Sequence, residues 1–196
     1  MPTLRALAVC VAVSAAAFCL PSPAAAQAQD VLEHRVLATT KTSTMEKELN
    51  EAAEAGYKFT AVMGGDSAFG GKEVVVVMSK SSATRGQYRY KLLATSKTST
   101  MQKELEEAGL AGYQYRGQTV FNSTFGGDEV VVILERDGAD ASARFEYKLI
   151  ATSKTSTLEK ELRTAGEGGY EVVGMTVGKT ALGGSELVAI TRRARR

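Results

Sequence analysis

The chain has 196 residues, 44% hydrophobic and 23% charged, with a formal net charge of +2. So even a balance is not the electrostatic footprint of a nucleic-acid binder. With one histidine, His34, and both cysteines near the N-terminus, a His/Cys metal site is excluded.

Residues 1–28 carry the three-part pattern of a secretory signal peptide. Arg5 precedes an apolar run, ALAVCVAVSAAAFCL, and small residues then permit cleavage after Ala26 or Ala28. The run falls short of the roughly 20 residues that span a bilayer. Phe18 before Cys19, and the early position of Cys10, argue against a lipid anchor. The mature chain is therefore expected in the periplasm or outside the cell, with no membrane segment. It would hold no cysteine, so its stability would rest on core packing alone.

The rest of the chain is written three times. ATTKTST at 38–44 becomes ATSKTST at 94–100 and again at 151–157. Gly56-Tyr57, Gly112-Tyr113 and Gly169-Tyr170 keep the same offsets, as do Glu73, Glu129 and Glu186, and so do Phe69-Gly70-Gly71, Phe125-Gly126-Gly127 and Leu182-Gly183-Gly184. A fixed period of this kind marks tandem copies of one supersecondary unit, here at 34–80, 88–137 and 145–194. The segments SSATRG and DGADASA between them read as linkers.

Within a unit, RVLAT, YKLLAT or YKLIAT alternates as a first strand. A helix follows, with Met45, Leu49, Ala52 and Ala53 on one face in the first copy. It ends at the Gly of Gly-Tyr, which takes the left-handed conformation. KFTAVM, QYRGQTVF and EVVGMTV form a second strand, a Gly-Gly turn reverses the chain, and EVVVVM, EVVVIL and ELVAIT form a third. The third is the most apolar and belongs in the centre. The fold class is thus α+β: three β-α-β-β repeats, each an antiparallel sheet of order 1-3-2 with one helix on one face.

One helix covers one face only. We assign Val75 and Val77, with Val131 and Ile133 and Val188 and Ile190, to the helix side. The alternate set of Val74, Val76 and Met78 and its counterparts then needs another cover, and a unit of about 50 residues is marginal alone. The copies must pack on one another. A pseudo-three-fold ring, or a pairing that leaves one copy for a homo-oligomeric partner, would satisfy the requirement.

The repeated heptapeptide suggests a capping box: Ser43 with Glu46, Ser99 with Gln102, Ser156 with Glu159. That leaves the lysines unexplained. Lys41, Thr42 and Ser43, with Lys97, Thr98 and Ser99 and with Lys154, Thr155 and Ser156, would suit a small anionic ligand at each helix N-terminus. No glycines precede the lysines, so the stretch is not a phosphate-binding P-loop. Pairing of the lysines with Glu73, Glu129 or Glu186 is the intramolecular alternative. Those carboxylates read as solvated strand ends, Tyr57, Tyr113 and Tyr170 as helix-end core residues, and the C-terminal TRRARR as a frayed, solubilising tail. No Ser elbow or cofactor fingerprint occurs, and no cofactor is expected.

Glu146-Tyr147-Lys148, Gly169-Tyr170-Glu171-Val172 and Thr191-Arg192-Arg193 resemble the motifs of the bacterial family called domain of unknown function 4177. The chain carries Tyr where that family has Trp. The resemblance spans all three units, more loosely in the first two, and implies no activity and no site residues. The reading is an exported, non-catalytic protein that binds an unidentified protein or a small anion. An enzyme with a site between repeats is the alternative.

Overall fold

The computed structural model describes residues 31–66, 72–82, 86–123, 127–179 and 185–195. The signal peptide expected at 1–28 and most of the expected Gly-Gly turns lie outside these residues.

The first unit contains β1 (Glu33–Thr39), α1 (Thr42–Glu54), β2 (Lys58–Asp66) and β3 (Lys72–Lys80). The second contains β4 (Tyr88–Thr95), α2 (Thr98–Leu110), β5 (Gln114–Ser123) and β6 (Gly127–Asp137). The third contains β7 (Phe145–Thr152), α3 (Thr155–Glu167), β8 (Glu171–Lys179) and β9 (Ser185–Ala194). Each unit forms one antiparallel three-stranded sheet in the order 1-3-2, with the last strand central. This is the α+β architecture of three β-α-β-β repeats that the periodicity predicts.

The helix ends also follow the sequence. Gly56, Gly112 and Gly169 have φ of +89°, +87° and +78°. Each sits just past its helix in a Schellman motif: Tyr57 N–H reaches Ala52 O at 3.0 Å and Gly56 N–H reaches Ala53 O at 2.9 Å, and the other two helices repeat the pattern. Tyr57, Tyr113 and Tyr170 fold back, partly buried, onto the core.

The face assignment is corrected. Val74, Val76 and Met78 pack with Met45, Leu49, Ala52 and Ala53 of α1, and Val132 and Leu134 pack with Met101 and Leu105 of α2. Val131 and Ile133 instead join the α1 cluster of the preceding unit, and Ile190 joins the α2 cluster. Period-two alternation separates two faces but does not label them, and both sets here are apolar.

The arrangement is therefore a stack. α1 packs on its own sheet and on β4 of the next, and α2 packs on its own sheet and on β7. Each inner helix is shared between two sheets, which answers the need for a second cover. No element of unit 1 makes an extensive contact with any described element of unit 3. Neither the closed ring nor the isolated pair is formed.

Gly112→Ala and Gly169→Ala share the left-handed strain of about 1–2 kcal/mol. At Gly112 a Cβ would also lie 2.8 Å from Ala143 O, whereas Gly169 has open space. Urea unfolding should therefore show the larger loss for Gly112→Ala; equal losses would contradict this packing.

Candidate functional site

The repeated heptapeptide is a strand-to-helix joint. The hydroxyls of Thr39, Thr95 and Thr152 accept from the N–H groups of Lys41, Lys97 and Lys154 at 3.2, 3.1 and 3.3 Å. That tight turn makes each Lys the N-cap residue, in extended conformation, with no side-chain cap hydrogen bond. The capping box is therefore not formed. Ser43, Ser99 and Ser156 fall inside the first helical turn, because the threonine turn starts the helix two residues earlier than the Ser–Glu spacing implies.

Glu46 and Gln102 have a different task, which sequence reasoning missed. Glu46 Oε2 accepts from Leu92 N–H on β4 at 2.9 Å. Gln102 Oε1 accepts from Leu149 N–H on β7 at 2.6 Å, and its Nε2 donates to Tyr147 O at 3.0 Å. Asn50 adds two more bonds to β4, from Tyr90 N–H and to Tyr90 O, both at 3.0 Å. β4 and β7 are outer strands of their sheets, and helix side chains occupy the backbone edge that would otherwise be open.

Tyrosines close the seam. Tyr90 Oη accepts from Phe59 N–H at 2.8 Å and donates to Glu135 at 2.7 Å. Tyr147 Oη accepts from Tyr115 N–H at 2.7 Å and donates to Tyr113 O at 3.0 Å. Phe59 and Tyr115 border the one-residue irregularities of β2 and β5, where the ladder register shifts. Burial, and then the neighbouring Glu135 carboxylate, drive the Tyr90 phenol far above its ordinary pKa; burial pushes Tyr147 up to about 12. Both hydroxyls stay protonated and remain donors. Glu135 is fully buried and also takes Arg116 Nε at 2.9 Å, with Lys58 Nζ of unit 1 at 3.8 Å.

Glycines set the approach of the units. A Cβ at Gly117 would meet the Phe59 ring at 3.0 Å and Val62 at 3.1 Å, and one at Gly174 would collide with the Tyr115 hydroxyl. The same position in unit 1 is Ala61, which is exposed.

The proposed ligand residues do not converge. Lys41, Lys97 and Lys154 are all exposed, each at the start of its own helix. At the second joint, Thr95, Ser96, Lys97 and Thr98 border a cavity of about 30 Å³ between units 2 and 3. Its other walls are largely apolar, and Glu186 also lines it. The space holds on the order of two waters, and the Glu186 carboxylate disfavours an anion there. Glu73, in unit 1, and Glu129, in unit 2, are half-buried. His34 Nδ1 lies 3.0 Å from Ser79 Oγ, at the position that Tyr90 and Tyr147 hold in the other units.

Within the C-terminal TRRARR, Arg192 and Arg193 are not part of a frayed tail. Arg192 and Arg193 lie in β9. Arg192 pairs with Glu171 and stacks on Phe145; Arg193 Nε donates to Glu146 at 2.8 Å and stacks on Tyr170. The Arg193 hydrogen bond holds the Glu146 carboxyl below the usual carboxylate range. Arg196 lies outside the described residues.

Among the described residues no helix is long and apolar enough to cross a membrane, and no group of three His, Cys, Asp or Glu stands together. No protein-family model, no curated protein and no solved structure matches the chain.

Two outcomes are expected in unfolding experiments. Glu46→Ala strands a part-buried N–H and should cost about 1–3 kcal/mol, whereas Glu159→Ala, exposed at the matching place on α3, should stay within about 0.5 kcal/mol. Equal effects would contradict the seam. The triple change Lys41→Ala, Lys97→Ala, Lys154→Ala removes cations that oppose the helix dipole by roughly 0.3–1 kcal/mol each. The melting midpoint should hold or rise slightly; a fall of several degrees would mean that the lysines support the fold.

Proposed function

We propose that this is an exported protein that acts by binding rather than by catalysis, and that its binding surfaces are the two ends of the stack. One observation carries this reading. Six large apolar side chains exposed to solvent gather there. Leu32, Val36 and Met63 are 52%, 64% and 63% exposed at the first unit; Val172, Met175 and Val177 are 49%, 55% and 56% exposed at the third. Stacked-repeat proteins ordinarily present polar outer faces on their terminal units, and contiguous apolar surface marks interaction sites. The resemblance to the domain of unknown function 4177 family adds no activity to this reading.

The test is site-specific photo-crosslinking in cells that produce the full-length chain. Probes at Met63 and Met175 should give adducts, whereas probes at Lys47 and Lys103, exposed on the helices, should not. No adduct at either end, or equal labelling at all four positions, would sink the binding reading.

A second reading, a small anion at the repeated helix starts, is supported by the N-terminal turns, which carry no side-chain cap. A ligand present at about a hundred times its dissociation constant adds about 2.7 kcal/mol. A thermal-shift panel of phosphates, nucleotides and acidic sugars should then show a clear upward shift that the triple lysine variant lacks. No shift from any compound would end this reading.

A further inference from the structure

The two end faces are the two halves of the seam that the molecule already uses twice. At each inner seam, the helix face of one unit receives the opposite sheet face and the first-strand edge of the next. Unit 3 presents an unused helix face, and unit 1 presents an unused opposite face and edge. We propose that a second copy of this chain docks its unit 1 on the helix face of unit 3, repeating the internal seam between molecules. The proposal rests on the binding reading above and names its partner.

Position-by-position correspondence supports it. Leu32, His34 and Val36 occupy the places of Tyr88, Tyr90 and Leu92 in unit 2 and of Phe145, Tyr147 and Leu149 in unit 3. Leu92 and Leu149 pack against the clusters built on α1 and α2, while Val36 is left in solvent. On the other side, Glu159 stands where Glu46 and Gln102 stand. Glu159 bonds only Arg163 of its own helix among the described residues, through Oε1 at 3.0 Å. Its place suits it to accept from Val36 N–H of a second copy, as Glu46 accepts from Leu92 N–H. Gly166 corresponds to Gly109. A Cβ at Gly109 would collide with Phe145 O across the inner seam, but one at Gly166 would meet nothing within 4 Å. The small residue is kept at the end of the stack, where no strand yet presses on it.

The ends also match in volume. At the inner seams an aromatic, Phe59 or Tyr115, faces a glycine, Gly117 or Gly174. At the outer seam the corresponding pair is Val172 and Ala61. A smaller side chain on one face meets a larger one on the other, which conserves the space between them. The outer pair equivalent to Gly64 and Thr119 is Val177 and Met63, which is larger and apolar on both sides and is not part of this compensation. Independent solvent-facing ends would have no reason to compensate.

Such an interface is heterologous. It joins unlike surfaces, so it either closes into a cycle or runs on as a filament. It also covers the open edge of β1, which otherwise invites unspecific pairing.

Sedimentation velocity on the purified protein tests this, with Val36→Asp and Met175→Lys as variants. Both sites are exposed, so both variants should keep the wild-type circular dichroism spectrum and melting behaviour of the dilute protein. The wild type should grow in mass with concentration beyond a dimer. Each variant alone should stay monomeric or associate at least about tenfold more weakly, a cost of about 1.4 kcal/mol. Their equimolar mixture should form a 1:1 dimer, because each retains the face that the other has lost. A wild type that is monomeric up to about 1 mM, the weak limit of useful affinity, would overturn the proposal. So would association abolished by one variant and untouched by the other, which is the mark of a symmetric interface. Cross-links from Met63 and Met175 to a different protein, with a monomeric wild type, would overturn self-docking while leaving the binding reading standing.

Discussion

Each sheet of this protein is apolar on both faces and owns a single helix. That constraint governs the rest. A β-sheet with two apolar faces must be covered twice, and a three-stranded unit of about 50 residues lacks the material to do it alone. The chain meets the need by sharing. α1 lies between its own sheet and the next, and α2 does the same one step on. One stripe of α1, Met45, Leu49, Ala52 and Ala53, is buried; beside it Glu46 and Asn50 hydrogen-bond to β4 of the following unit. The repeat is therefore not three domains in a row but one continuous core cut into three clusters.

Polar groups give the stack its register. Apolar faces slide, but hydrogen bonds from a helix side chain to one particular backbone N–H do not. Glu46 and Gln102 select Leu92 and Leu149, and Tyr90 and Tyr147 select the N–H groups beside the strand irregularities of the preceding unit. Glu135 contributes in the same sense. A buried carboxylate is weak evidence for stability, but its partners come from Tyr90 and Arg116 of its own unit and Lys58 of the one before. Only one seating of unit 2 on unit 1 assembles them.

The copies differ where their surroundings differ. Tyr90 and Glu135 form the buried pair of unit 2; His34 and Ser79 take those positions in unit 1, facing solvent, with Thr60 Oγ1 2.7 Å from Ser79 Oγ. Arg192 takes the Glu135 position in unit 3, where Glu171 and the Phe145 ring receive it. By contrast, the joint ATSKTST hardly varies, because its task is local: a threonine turn and a helix start are the same in every unit. A sequence nearly identical in three copies here reports a shared piece of backbone geometry more than a shared ligand.

The sequence by itself determined what depends on near neighbours. The period of 56–57 residues, the β-α-β-β order, the central place of the most apolar strand and the left-handed glycines after each helix were all legible, since each follows from local pattern and backbone sterics. The joint was only half legible. A Ser followed three residues on by Glu is compatible with a cap, but Thr39, Thr95 and Thr152 compete for the same turn and prevail. What lies across a seam was not legible at all. Val74 and Val75 look alike in sequence, and only packing decides which meets α1. Glu46 and Leu92 are 46 residues apart, and nothing local links them. The stack, the buried Glu135 network and the two unmatched ends were decided by tertiary structure, because each depends on which apolar face finds which neighbour, and contacts between distant segments leave no periodic trace in the chain.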